Sequence, residues 1–326
     1  MTKKLYNRRD FCKISAAVMS ATTMLNISPS QAAPDSHLIA CRDAHLSGLD
    51  PKNTWNAIRQ TGFTGVEVWV NPDRTLPYLN APDRQYNLKS AESIEQLAQD
   101  LKEQNIAITA FAMPNQFDER LEEELLWVKD VVQACKTLNV PAIRIDVVPR
   151  AIKEQDKFLE FAISTCRELA KMVNDTSIHF GIENHGSTTN DPDFLDPLFE
   201  AVDPAIGLTL DTGNFYWWGH PLDNLYEIYE KYASRVYHTH CKSINYPEDR
   251  RNTKRPRGWE YGKYASPIYS GDIDFDRVFK ILLSAGYEND FCIENESLGR
   301  FPESERSDIL RKEASTLRNL LKTNQG

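Results

Sequence analysis

The sequence predicts an α/β protein built as a single (β/α)8 TIM barrel, and three observations lead to that prediction. Eight short runs rich in β-branched and aromatic residues alternate with amphipathic segments along the chain. No glycine-rich phosphate loop follows the first run, as it would in an open doubly wound sheet. The length of 326 residues suits a barrel of about 250 residues with a leader and insertions. Strict alternation implies a parallel sheet, and eight strands close it into a barrel.

Each predicted strand is short and bounded by turn-forming residues. The eight strands are Leu38–Asp43, Gly65–Val70, Ile106–Ala112, Ala142–Val147, His179–Asn184, Ile206–Asp211, Val236–Lys242 and Phe291–Asn295. Apolar residues that recur every three or four positions predict the helices between them. The clearest helices are Ala91–Asn105, Glu122–Leu138, Phe158–Val173 and Phe275–Ala285. No internal repeat or linker interrupts the pattern, so residues 34–326 are expected to form one domain.

The first 33 residues have the organisation of an export signal. Arg8 and Arg9 precede a moderately apolar stretch, Ile14–Ile27, and small residues at Ala32 and Ala33 suit a cleavage site. The paired arginines resemble a twin-arginine signal. We therefore expect residues 1–33 to engage the twin-arginine export machinery, and the folded protein to be periplasmic. The apolar stretch is too short and too polar for a membrane anchor, and a disordered basic tail is the alternative.

Charge and cysteine content exclude other classes of protein. The formal net charge of −9 disfavours nucleic-acid binding, which relies on a positive surface. Five of the six cysteines follow the leader, and no CxxC pair is present. We expect buried free thiols rather than a disulfide framework.

Metal-competent side chains stand at the ends of four consecutive predicted strands. These residues are Glu183, Asp211, His240 and Glu294. Alternation along each strand directs them into the barrel lumen, where a charge is costly unless it is paired or ligating. Salt bridges are the structural alternative. Three carboxylates and one imidazole suit one divalent ion, Mn²⁺, Mg²⁺, Co²⁺ or Zn²⁺, without fixing which.

Several motifs resemble the xylose isomerase-like TIM barrel superfamily, the sugar phosphate isomerases and epimerases. They are Ile182–Gly186, Asp211–Phe215, His238–Lys242, Gly271–Asp274, and Gly286–Tyr287 leading into Ile293–Glu294. The resemblance covers nearly the whole chain after the leader. It implies that Glu183, Asp211, His240 and Glu294 bind the metal, and that Glu183 and Glu294 form an acid/base pair acting through an enediolate. It also implies a small carbohydrate substrate and a homodimer or homotetramer.

Other polar side chains near the predicted mouth are candidates for substrate binding. They are His185, Lys242, Arg144, Asn214 and Trp259. His185 has a supporting hydrogen bond as its alternative role, and Arg144 has a pairing with Asp146. Lys242 is followed by Ser243 where the family often has Asp, which puts a Lys–Asp pairing in doubt. Trp259 lies in an aromatic and basic insertion, Asn245–Ser270, which alternatively serves structure or oligomer contacts.

Four functions fit these residues to different degrees. A metal-dependent sugar or keto-sugar isomerase or epimerase is the leading hypothesis. A lyase that performs β-elimination on 3-keto-glycosides uses the same metal site. A non-catalytic sugar-binding protein would not need two metal-bound glutamates. An apurinic endonuclease is disfavoured because Asn214 stands where those enzymes place a further histidine, and because the net charge is negative.

Overall fold

The computed structural model describes residues 37–325 and contains the predicted barrel. Its strands are β1 (Ile39–Arg42), β2 (Gly65–Trp69), β3 (Thr75–Ala81), β4 (Arg84–Asn87), β5 (Ala107–Met113), β6 (Ala142–Ile145), β7 (His179–Glu183), β8 (Ile206–Asp211), β9 (Val236–His240), β10 (Ser243–Ile244), β11 (Ala265–Ser266) and β12 (Phe291–Ile293). The predicted signal peptide, residues 1–33, lies outside the described residues and stays a prediction.

Helices follow most of the barrel strands and cover the sheet from outside. They are α1 (Asp43–Ser47), α2 (Thr54–Thr61), α3 (Ala91–Gln104), α4 (Leu121–Leu138), α5 (Gln155–Val173), α6 (Pro192–Ala201), α7 (Asn214–Trp218), α8 (Leu222–Tyr232), α9 (Glu248–Arg251), α10 (Tyr261–Tyr264), α11 (Phe275–Ser284) and α12 (Glu303–Gln325). Local chemistry sets their ends. Ser90 caps α3 by accepting a hydrogen bond from the Ser93 N–H, and Asn105 ends it with a left-handed φ of 54°.

The eight barrel strands form one parallel sheet in the order β12-β1-β2-β5-β6-β7-β8-β9. The barrel closes between β9 and β12 through a parallel bridge that joins Cys241 to Ile293. There the Cys241 N–H donates to the Cys292 carbonyl at 2.6 Å. The predicted (β/α)8 fold is confirmed, and each predicted strand overlaps an observed one. All the strand carboxyl ends therefore meet at one rim, where barrel active sites lie.

Alternation along the strands separates the apolar core from the polar lumen. Ile182 and Ile293 are fully buried members of the main hydrophobic cluster, as expected for side chains that face the helices. Phe291 stacks on Phe279 of α11 with ring centroids 3.7 Å apart. The next residues along β7 and β12, Glu183 and Glu294, emerge at the rim.

Two additions decorate the barrel. The antiparallel pair β3 and β4 is inserted between barrel strands β2 and β5. The long insertion after β9 contains α9, α10 and the small sheet of β10 and β11. Within this insertion Arg255 is buried, with its guanidinium 4.4 Å from the ring centroids of both Tyr216 and Tyr246. It also donates to five backbone carbonyl groups, so one side chain fixes the insertion to the barrel.

The cysteines of the described region follow the expectation of free thiols. Cys41, Cys135, Cys166, Cys241 and Cys292 are all buried and unpaired by disulfides within residues 37–325. In the same range, every helix is too short or too polar to cross a lipid bilayer.

Candidate metal centre

The four predicted metal ligands converge at the rim of the barrel. Glu183, Asp211, His240 and Glu294 are each at most 3% exposed. One ligand atom from each lies within 4.8 Å of the ligand atoms of the others. Because they come from β7, β8, β9 and the end of β12, the sheet itself sets their spacing. Sequence alternation thus identified residues that the fold brings together.

His240 occupies the middle of this cluster. Its Nδ1 lies 3.3 Å from Glu183 Oε1, 3.3 Å from Glu294 Oε2 and 3.9 Å from Asp211 Oδ2. Its Nε2 lies 3.0 Å and 3.1 Å from the two carboxylate oxygens of Glu67. Burial alone would lower the pKa of His240, but Glu67 and then Glu294 raise it to about 9. A carboxylate behind the imidazole is the usual arrangement for orienting a histidine ligand toward a metal.

The loop after β8 orients Asp211. Its Oδ1 accepts hydrogen bonds from the backbone N–H groups of Gly213 and Asn214, both at 2.8 Å. The side chain of Asn184 holds the backbone of Asp211 from the other side, accepting from its N–H at 2.8 Å and donating to its carbonyl at 2.9 Å. This use of Oδ1 leaves Oδ2 directed at the cluster. The Asp-Thr-Gly-Asn sequence that begins at Asp211 therefore fixes the orientation of the Asp211 carboxylate.

An arginine supports each of the two glutamates. Arg144 Nη2 contacts Glu183 Oε2 and also lies 3.1 Å from Asp146 Oδ1. Arg42 Nη1 contacts Glu294 Oε1, and Arg42 Nε lies 3.2 Å from Glu67. Sequence reasoning missed Arg42, although its position at the end of a predicted strand was a usable signal. These pairs hold the glutamates while their remaining oxygens face the cluster.

Lys242 enters the same cluster. Its Nζ lies 2.8 Å from both Asp211 Oδ2 and Glu294 Oε2, and 3.5 Å from Glu296. Although burial alone would raise it, Lys242, His240 and Arg42 hold the pKa of Glu294 well below its usual range. Burial raises the pKa of Asp211 in spite of Lys242.

The donor set fits a divalent cation. Asp211 Oδ2 and Glu294 Oε2 are buried oxygens without a hydrogen-bond partner, although the Lys242 ammonium forms an ion pair with each of them. Buried polar atoms of this kind call for a partner. Three carboxylates and one imidazole match the preferences of Mn²⁺, Mg²⁺, Co²⁺ or Zn²⁺. The residues present can therefore hold one such ion.

A cavity of about 560 Å³ opens at the cluster. Of the predicted substrate-binding residues, Arg144, His185, Asn214 and Lys242 line it. His185 is half exposed, and its Nδ1 lies 3.2 Å from Asp146 Oδ1. Asn214 Nδ2 donates to Glu183 Oε1 at 3.2 Å. Sequence reasoning missed other lining residues, namely Arg42, Trp69, Arg150, Trp217, Tyr261 and Glu296.

Trp259 does not line this cavity. Its ring packs against Tyr264 and Tyr246, with centroids 5.6 Å and 5.7 Å away. The insertion instead places Tyr261 in the wall, where its hydroxyl donates to Glu296. Tyr261 begins the one-turn helix α10, whereas Trp259 lies two residues before it.

Below the cluster, polar side chains of the lumen are paired. His238 is fully buried, and its Nδ1 lies 2.8 Å from Asp290 Oδ1. Glu67 contacts Arg42 and His240 as described.

The fold and the site together define a barrel with a metal-competent centre at the carboxyl ends of its strands. The chain belongs to the xylose isomerase-like TIM barrel family, whose sequence pattern matches residues 55–320. The predicted family is thereby confirmed.

Known relatives include enzymes and metal complexes. An inosose dehydratase of Clostridium botulinum is 30% identical over 136 residues, covering 40% of this chain and 44% of the relative. The match thus spans less than half of that curated protein. A xylose isomerase-like TIM barrel protein from Mycobacterium smegmatis, solved with magnesium, has a TM-score of 0.65 at 16% identity and covers 89% of this chain and 98% of its own. The IOLI protein with a zinc atom has a TM-score of 0.62 at 15% identity, covering 88% and 98%.

Proposed function

We propose that this protein is a metal-dependent isomerase or epimerase of a sugar or keto-sugar. The observation that supports it most is the pair of buried glutamates, Glu183 and Glu294, which reach one cavity from strands that are not neighbours in the sheet. Two such groups can remove a proton from one face of a substrate carbon and return one to another face.

The ligand set of the proposal is Glu183, Asp211, His240 and Glu294. A bound divalent cation, with Mn²⁺ favoured, supplies positive charge beside substrate oxygens that become negative. The site's own residues do the rest. Arg144 and Arg42 hold the two glutamates in place. Lys242 lies 2.8 Å from Glu294 Oε2 and adds a second positive charge on the side where Glu294 would transfer a proton.

Cavity-lining side chains also suit a carbohydrate. Trp69 and Trp217 offer apolar ring surface, while Asn214 and His185 offer hydrogen-bonding groups at the mouth. Sugar rings combine apolar C–H faces with hydroxyl groups, so walls of this mixed kind match them. The substrate proposed is a small-molecule carbohydrate with a carbonyl group.

A lyase is the second candidate, and two observations favour it. Curated relatives with sequence similarity include inosose dehydratases. The Asp146–His185 pair also presents an imidazole to the cavity. In elimination, a glutamate would remove a proton next to the carbonyl, and the electron pair of that C–H bond would form a C=C bond. The leaving group would depart with its bonding pair and take a proton from His185. A 3-keto-glycoside would release its aglycone in this way.

Proton NMR in D₂O separates the two candidates. The metal-loaded protein is incubated with a panel of keto-sugars and 3-keto-glycosides. Deuterium uptake with an intact carbon skeleton supports the isomerase or epimerase, and loss of water or an aglycone supports the lyase. Glu183→Gln and Glu294→Gln should each lower the rate about 10²- to 10⁴-fold, whereas Glu124→Gln, a buried glutamate outside the cavity, should not. The absence of both reactions across the whole panel would contradict the proposal.

A further inference from the structure

Arg150 is a cavity-lining cation that forms no ion pair with the described residues. Arg42, Arg144 and Lys242 each pair with carboxylates of the cluster. Within residues 37–325, Arg150 has no ion pair and its guanidinium donates no hydrogen bond to the protein. Its Nε is buried without a partner. A desolvated donor of this kind is costly unless a ligand satisfies it.

The side chain of Asp118 fixes the backbone that carries Arg150 before any ligand binds. Asp118, in the loop between β5 and α4, accepts hydrogen bonds at Oδ2 from the N–H groups of Arg150, Ala151 and Ile152, at 2.8, 2.8 and 2.9 Å. One carboxylate thus fixes the turn that carries the arginine. With the backbone fixed, only the arginine side chain has to be ordered when a ligand binds, which favours affinity.

We propose that Arg150 determines specificity by binding a carboxylate of the substrate, so that the enzyme acts on a sugar acid. This inference rests on the proposed function and names its substrate class. The guanidinium matches a carboxylate with two parallel hydrogen bonds. The acid group would lie at the β6 side of the mouth, with the reacting carbon toward Glu183 and Glu294.

Charge balance favours a carboxylate over a phosphate. A phosphate carries about −1.5 to −2 charges at neutral pH, whereas only one unpaired cation is available among the described lining residues. Asp146, whose carboxylate is also in the wall, would repel a second negative charge. A single negative charge is what Arg150 can neutralise.

Matched ligand pairs test this proposal. The metal-loaded protein is titrated with D-glucuronate and D-glucose, D-galacturonate and D-galactose, and D-mannuronate and D-mannose, and with the 6-phosphates of the three neutral sugars. Binding is followed by tryptophan fluorescence, since Trp69 and Trp217 line the cavity, and by calorimetry. At least one uronate should bind about 10- to 100-fold more tightly than its neutral partner.

Variants locate the effect. Arg150→Gln should abolish the uronate preference, and Arg150→Lys should keep part of it. Arg59→Gln, on the exposed face of α2, should leave it unchanged. The proposal is overturned if no uronate is preferred, if the 6-phosphates are preferred instead, or if Arg150→Gln keeps the preference.

Deuterium exchange keeps the two proposals separate. An Arg150-dependent uronate preference in a protein without exchange or elimination would support the subsite and contradict the proposed function. Turnover of neutral keto-sugars without any uronate preference would support the proposed function and contradict the subsite.

Discussion

Replacing Glu67 with Gln is expected to weaken metal binding about 10- to 100-fold, because Glu67 is the carboxylate behind the His240 ligand. Gln keeps an oxygen that can accept from Nε2, so the ring orientation should survive. It removes the negative charge that makes the imidazole a stronger ligand. The loss corresponds to about 1.4–2.7 kcal/mol of binding free energy.

Competition with a fluorescent chelator for Mn²⁺, Co²⁺ and Zn²⁺ measures this loss. Glu124→Gln is the matched control, since Glu124 is equally buried but pairs with Arg120 and Asn115 outside the cavity. Circular dichroism must show both variants folded. A folded Glu67→Gln protein with wild-type affinity, or an equal loss in Glu124→Gln, would refute the assignment of Glu67 as the support of the metal ligand.

Three further predictions concern stability and order. Burial raises the pKa of Glu313 to about 7 from 4.5, so the folded state keeps a proton that the unfolded state has lost. Glu313 should therefore lower the free energy of unfolding by about 3 kcal/mol as pH rises from 4.5 through 7, and Glu313→Gln should remove this share of the fall in urea titrations. Asn184→Ala leaves the buried N–H and carbonyl of Asp211 unpaired, which should cost about 2–4 kcal/mol by urea unfolding and lower metal affinity. Arg255→Lys loses the planar fork that five carbonyls need, so limited proteolysis should cut the insertion faster while the barrel stays folded.

Each of these has a contradicting outcome. Parallel pH profiles for wild type and Glu313→Gln would show that Glu313 does not titrate as described; exposed Glu200→Gln is its control. Unchanged stability of Asn184→Ala would mean that water replaces the lost hydrogen bonds. Wild-type cleavage rates in Arg255→Lys would show that the stacking of Arg255 between Tyr216 and Tyr246 is dispensable.

Strand alternation made the barrel and its candidate metal ligands predictable. Glu183, Asp211, His240 and Glu294 stand at strand ends, and a parallel barrel brings such ends to one rim whatever the loops do. The β3 and β4 pair was not predicted, because Pro77 and polar residues blur the two-residue period there.

Residues in loops were harder to predict than residues on strands. Arg150 lies between β6 and α5, where no period fixes the side-chain direction, and only Asp118 in a distant loop sets its position. Tyr261 lines the cavity and Trp259 does not, and the sequence could not distinguish them because no regular period fixes side-chain direction in the insertion. The partners of Arg42 lie on β2 and after β12, so its role depends on contacts across the lumen.

Metal content tests the central claim most directly. Elemental analysis compares the purified wild type with a Glu183→Gln/Glu294→Gln double variant and with Glu124→Gln. The site predicts about one divalent ion per chain in wild type and in Glu124→Gln, and its loss in the double variant. A folded wild-type protein that holds no metal, even after Mn²⁺, Mg²⁺, Co²⁺ or Zn²⁺ is added, would contradict the account.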